Sequence, residues 1–299
     1  MAATQTEMTH DSAKGFDLKA PHDALRVLAV AQAEAAQAVE LAVPEIAAAA
    51  LLAAECIVGG GQLVYAAAGS SGLMALADAL ELPGTYGIPK DRIKVLLAGG
   101  MAGLTDMTGA PEDDEDEARA AIAGASVKAG DCVIALTASG QTPFPLAAVR
   151  AARAAGAKTV GLANNAGAAL FELVDVAICL PTPPEVIAGS TRMGAGTAQK
   201  IALNMLSTMM AIHLGHVHDG YMVNVVADNI KLRGRARRIV MAVGKVPEDA
   251  AAHWLDVAHG SVKTAILLAA GAGDVAGAER LLATNQSKLR PSLAALKGR

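Results

Sequence analysis

Two glutamates and two hydroxyl-rich turns are the residues of this chain whose types and spacing best suit chemistry. Residues 64–81, "VYAAAGSSGLMALADALE", read as an apolar strand, a small-residue turn at Gly69-Ser70-Ser71-Gly72, and a helix with apolar residues at helical spacing. Backbone N–H groups and hydroxyls converge there on the positive end of a helix dipole, an arrangement that suits a phosphate. No Lys follows Gly72, so the Walker pattern is excluded, and the spacing is not GxGxxG. "TASGQTP" repeats the logic, with Ser139, Gln141 and Thr142 after another apolar run. Two such turns at two strand ends could wrap one phosphate from two sides, although Ser and Thr also favour the start of any helix. Glu81 ends the first helix and Glu112 opens an acidic run after the next strand. They could form an acid/base pair if their surroundings separate their pKa values; as solvated helix-end carboxylates they would do neither. His213, His216 and His218 have the spacing H-x-x-H-x-H but no supporting Cys or further ligand pattern. They fall at a helix end across Gly215, where the dipole favours a His, and no metal site is expected. The basic run "KLRGRARR" is short and reads as a solvated helix face.

The elements that must position these groups alternate. Apolar runs at Val64–Ala68, Ile93–Ala98, Asp131–Leu136, Thr159–Ala163 and Val176–Leu180 predict five strands. Helices lie between them, with two Ala-rich helices split by Pro44 ahead of them and a long one from about Ala198 to His213 behind. Near-continuous apolar strands alternating with helices predict an α/β fold, a doubly wound parallel five-stranded sheet covered on both faces. In such sheets ligands sit beyond the carboxyl ends of the strands, which is where every singled-out loop lies. "LPGTYGIPKDR" is expected as a loop from its Pro and Gly content. Three segments are expected: a polar mobile arm over 1–20, the sheet domain over 21–245, and a small all-α C-terminal module over 246–299 with three or four short helices and no strand signal.

Composition excludes several classes. The 299 residues are 53% hydrophobic and 18% charged, with a net charge of −4 and 2% aromatic residues. There is material for a large core, no basic field for nucleic acid, and few rings on which single-stranded bases could stack. Cys56, Cys132 and Cys179 are odd in number and sit in apolar runs, which fits buried thiols of a cytoplasmic protein. No secretory h-region and no uninterrupted apolar run long enough to span a bilayer is read, so no membrane partner is expected.

Taken together, "LVYAAAGSSG", "DALELPGTYGIP", "LAGG", "ASGQTPF", "PEVIAGSTRMGAGTAQKIALNMLST" and "VVADNIKLRGRA" resemble the N-acetylmuramic acid 6-phosphate etherases, from about Leu25 to the C-terminus. The resemblance implies a sugar isomerase (SIS) fold and a cytoplasmic lyase of peptidoglycan recycling. Such a lyase cleaves the C3 lactyl ether of its substrate to N-acetylglucosamine 6-phosphate and D-lactate, with no metal or redox cofactor. It implies that Glu81 assists lactate departure and water addition, and that Glu112 is the base at C2. It further implies that Ser70, Ser71, Gly72, Ser139, Gln141 and Thr142 hold the sugar phosphate, that Ser190 and Thr191 line the sugar, and that the protein is a homodimer with the pocket near the subunit interface. The family usually has arginines where this chain has Leu73 and Gln141. A non-catalytic sugar-phosphate-binding regulator and an aldose–ketose isomerase are the alternatives on the same fold.

Overall fold

The computed structural model describes residues 5–104 and 108–298. They fall into two compact units. The first comprises Met1–Ala79 and Asp91–Ser207, the second Leu80–Lys90 and Thr208–Arg299.

The first unit carries α1 (Pro21–Gln37), α2 (Val43–Val58), β1 (Leu63–Ala67), β2 (Ile93–Leu97), α4 (Glu115–Gly124), β3 (Cys132–Thr137), α5 (Pro143–Ala154), β4 (Lys158–Ala163) and β5 (Val176–Cys179). Helices α3 (Gly69–Tyr86) and α6 (Gly194–His213) give their N-terminal parts to it. The five strands form one parallel sheet in the order β2-β1-β3-β4-β5, with Leu63 level with both Ile93 and Cys132. β1 and β3 are buried along their whole length, which explains their unbroken apolar runs. On one face Val64, Ala66 and Val133 pack against Ala118 and Ile122 of α4 and Phe144 and Ala147 of α5. The alternate residue Tyr65 is directed to the helices of the other face. Its hydroxyl donates to Asp78 of α3 at 2.8 Å, and Ser207 of α6 donates to the same carboxylate at 2.9 Å. Burial pushes the Asp78 carboxyl up to about 6, against the opposing pull of those hydrogen bonds.

Of the expected polar arm, residues 1–4 lie outside the described residues. The remainder forms 3-10 turns at Gln5–Glu7, Asp11–Ala13 and Phe16–Leu18, and Thr6 is buried. The stretch Pro21–Val58 is long and apolar enough to cross a membrane by length and composition, with mean hydropathy 2.0 in its most apolar window. It carries Asp23, Arg26, Glu34, Glu40, Glu45 and Glu55, and it is broken by a 3-10 turn before Pro44. Its apolar residues are divided between a core-facing set, such as Ala49, Ala50 and Ala53, and an exposed set.

In the second unit, α3 continues through Pro83 to Tyr86, where the Pro and Gly residues predict a loop. Burial overrides local propensity here: Leu82 and Ile88 are each 1% exposed, and the Gly87 N–H donates to the Pro83 carbonyl at 3.0 Å. Gly87 takes φ +66, and a Cβ on it would stand 2.6 Å from the Asn224 carbonyl oxygen, so only glycine ends the helix there. A hairpin of β6 (Val217–His218) and β7 (Tyr221–Met222) turns at Asp219-Gly220, both at positive φ as a two-residue turn requires. Helices α7 (Ile230–Gly244), α8 (Glu248–Val257), α9 (Val262–Ala269), α10 (Val275–Thr284) and α11 (Leu289–Lys297) complete it around Val240, Ile266 and Leu267. Asn229, Ser261 and Asp274 cap α7, α9 and α10 through their side chains. The basic run lies on α7, where Arg237 pairs with Glu248 at 3.0 Å.

Candidate active site

The carboxyl ends of β1 and β3 and the loop after β5 surround a cavity of about 260 Å³ within the first unit. Ser70, Ser71, Glu112, Ser139, Thr142 and Thr191 line it, so six of the residues singled out in the sequence come together. Gly69, the first residue of the expected turn, lines it too, as do Thr6, Glu7, Thr137 and Gly189, which the sequence reading did not single out.

Each wall has a local cause. β1 ends at Ala67, and Gly69 at φ +53 turns the chain directly into α3, so Ser70 and Ser71 occupy its first turn. A Cβ on Gly69 would lie 2.6 Å from Glu112 Oε1, so the missing side chain is what lets this carboxylate approach the turn. Glu112 sits in a 3-10 turn, Ala110–Asp113, and not in the first turn of a helix as its acidic run suggests. Asp114, its side chain accepting from the Glu117 N–H, caps the helix that follows, α4. Burial, with Asp113 beside it, raises the Glu112 carboxyl above the usual glutamate value.

The β3 turn carries a ring of hydroxyls. Thr137 Oγ1 lies 2.7 Å from Thr142 Oγ1 and 3.2 Å from Ser139 Oγ, and the last two are 3.3 Å apart. Gly140 at φ +75 makes the turn possible, because a Cβ there would stand 2.1 Å from the Ala168 Cβ. Asn165, beyond β4, braces the turn by donating to the carbonyls of Ala138 and Ser139 at 3.1 Å each. On the third wall Glu185 accepts from the Gly194 and Ala195 N–H groups at 2.9 Å each, capping α6 and fixing the loop that bears Thr191. The signal for Glu185 was present in the sequence as an acid nine residues ahead of a helix start, a separation too long for a local capping pattern.

The other singled-out residues lie elsewhere. Gly72 packs against Leu97, with 3.0 Å from its would-be Cβ to the Leu97 Cδ2. Gln141 is exposed, and its Nε2 donates to the Gly167 carbonyl at 3.5 Å. Ser190 is half-buried, its N–H donating to the Ile187 carbonyl at 2.9 Å. Glu81 is an exposed residue of α3 in the second unit and is not among the residues that line the cavity. Among the described residues no Lys, Arg or His lines it either; Leu73 on α3 is 38% exposed. The cavity therefore offers hydroxyls, backbone N–H groups at the start of α3, and two carboxylates.

The three histidines belong to the second unit. Burial, reinforced by Lys263, lowers His216 to about 4, and burial lowers His218 as well. Among the described residues no group of three or more His, Cys, Asp or Glu is placed to hold a metal ion.

Known proteins bear on this site. The SIS domain pattern matches residues 28–164. A protein of Deinococcus radiodurans named N-acetylmuramic acid 6-phosphate etherase is 43% identical over 278 residues, covering 93% of this chain and 91% of its own. One of the same name from Symbiobacterium thermophilum is 46% identical over 243 residues, 81% of each. In fold, a phosphoheptose isomerase of Francisella tularensis superposes with a TM-score of 0.51 at 18% identity, over 64% of this chain and 98% of that one. A phosphoheptose isomerase of Neisseria gonorrhoeae also gives 0.51, at 17% identity. The isomerases are alike in architecture, whereas the likeness in sequence runs to proteins named etherase.

Proposed function

We propose that this chain, which belongs to the N-acetylmuramic acid 6-phosphate etherase family, cleaves the C3 lactyl ether of N-acetylmuramic acid 6-phosphate with Glu112 as the base at C2 and Glu81 as the acid at the departing oxygen. In the open-chain sugar the C1 aldehyde acidifies the C2 proton. Glu112 takes that proton, the C3–O bond breaks, and Glu81 protonates the leaving D-lactate oxygen. The α,β-unsaturated aldehyde then accepts water at C3, with the Glu81 carboxylate removing the water proton and Glu112 returning its own to C2. The products are D-lactate and N-acetylglucosamine 6-phosphate. Every proton is carried by a side chain and no electrons are exchanged with a cofactor.

The observation that carries the reading is Glu112 over the serine-lined start of α3, with its pKa raised. A raised pKa makes a carboxylate a stronger base once it is ionised. The hydroxyls of Ser70, Ser71, Ser139, Thr142 and Thr191 hold the phosphate and sugar, helped by the positive end of α3. Ser190, Gly72 and Gln141 shape the loops that carry those hydroxyls. For Glu81 the support is its place in "DALELPGTYGIP", the segment that resembles the family. The protein works in the cytoplasm as a homodimer. Exposed apolar residues along α1, α2 and the 3-10 turn Ala38–Ala42 between them, among them Leu41 at 72% and Val58 at 77%, support the second copy.

The test is D-lactate release from N-acetylmuramic acid 6-phosphate by the pure protein beside Glu81→Gln and Glu112→Gln. Release by the wild type, with each variant slowed at least about a hundredfold, is expected. No release by folded wild type defeats the reading.

A further inference from the structure

The N-terminal turn puts a carboxylate into the cavity that the elimination and hydration steps do not use. Glu7 lines the cavity from the 3-10 turn Gln5–Glu7. The turn is held in place through its neighbour. The Thr6 N–H donates to Asn165 Oδ1 at 3.2 Å, and Asn165 Nδ2 donates back to Thr6 Oγ1 at 3.0 Å. The same Asn165 amide braces the hydroxyl-bearing turn after β3, so one buried side chain locks both turns together. Opposite, Gly189 leaves room for the acid: its would-be Cβ stands 3.5 Å from Glu7 Oε2, and Gly189 itself lines the cavity at φ +74.

A carboxylate cannot help to hold a phosphate, and among the described residues no cation lines this cavity to offset it. What a carboxylate does well is accept from neutral O–H and N–H donors. The substrate class of the proposed reaction carries both, as sugar hydroxyls and an acetamido N–H. We infer that Glu7 is a specificity-determining residue of this site, accepting hydrogen bonds from a hydroxyl- or amide-bearing edge of the sugar. The inference rests on the sugar-phosphate reading of the cavity but not on turnover.

Two ligands of opposite demand test it. Wild type, Glu7→Gln and Glu7→Ala are titrated by calorimetry with N-acetylglucosamine 6-phosphate, and with inorganic phosphate in competition with it. Loss of the charge-assisted acceptor should weaken sugar-phosphate binding about tenfold in Glu7→Gln and more in Glu7→Ala. Removal of a negative charge should tighten inorganic phosphate a few-fold in both. With the etherase substrate, KM should rise by the same factor as the sugar-phosphate Kd while kcat stays within about threefold. A fall in affinity for both ligands together would mean a merely structural turn, and unchanged or tighter sugar-phosphate binding would mean that no sugar donor meets Glu7; either overturns the inference. Wild type that binds N-acetylglucosamine 6-phosphate but releases no lactate would defeat the etherase reading and leave this one standing.

Discussion

In the proposed reaction Glu112 is a base whose readiness is set by its surroundings. Burial and the neighbouring Asp113 raise its pKa above that of a free glutamate, and only the ionised form can take the C2 proton. Activity should therefore fall on the acid side through a pKa above about 4.3, the free glutamate value, read as the acid limb of kcat/KM for lactate release. Asp113→Asn removes the like charge and should move that limb down. Asp78 shows the opposite use of a buried acid, since it binds helices together and has no place in the reaction. Its folded pKa, about 6, lies above the ordinary aspartate value of 3.8. The stability it contributes is full below about pH 4 and is lost as pH rises through about 6, on the order of 2–3 kcal/mol. Asp78→Asn should flatten that part of the pH–stability curve, measured by denaturant melts between pH 4 and 7. An unchanged slope would show that Asp78 does not titrate in this window.

At the scale of elements, the site depends on tight strand-to-helix turns. Gly69→Ala would drive a methyl group to within 2.6 Å of Glu112 Oε1 and must push the carboxylate aside. The expected result is a fall in kcat of about tenfold or more, with the melting temperature lowered by only a few degrees; a full loss of folding would mean that the turn has no room at all. These turns were legible in the sequence because strand, Gly-Ser turn and helix are consecutive, and the periodicity switches at the glycine. The five strands were legible for the same reason, being short apolar runs between helices. What escaped were partners distant along the chain. Thr6 meets Asn165, 159 positions away, and Glu185 caps a helix nine residues on, so neither leaves a local pattern. The passage of α3 through Pro83 escaped because buried Leu82 and Ile88 outweigh a helix-breaking composition. The hairpin at Asp219-Gly220 has a known turn dipeptide, but its strands are two residues each, too short for alternation to show.

For the whole molecule, the exposed apolar residues of α1, α2 and the 3-10 turn between them carry the proposal of a second copy. Leu41→Glu combined with Val58→Glu should convert the dimer to a monomer in analytical ultracentrifugation while the circular dichroism of the subunit stays unchanged. A dimer that persists would place the contact elsewhere on the surface.

Of the helices that begin beside the cavity, α6 alone has its two leading N–H groups already occupied, by the carboxylate of Glu185. The protein has plugged that socket with an acid of its own. α5 opens on Pro143 and Pro145, which have no N–H to give, so under the proposed reaction an arriving anion is left with the start of α3: its phosphate would have one address and its sugar one direction to point.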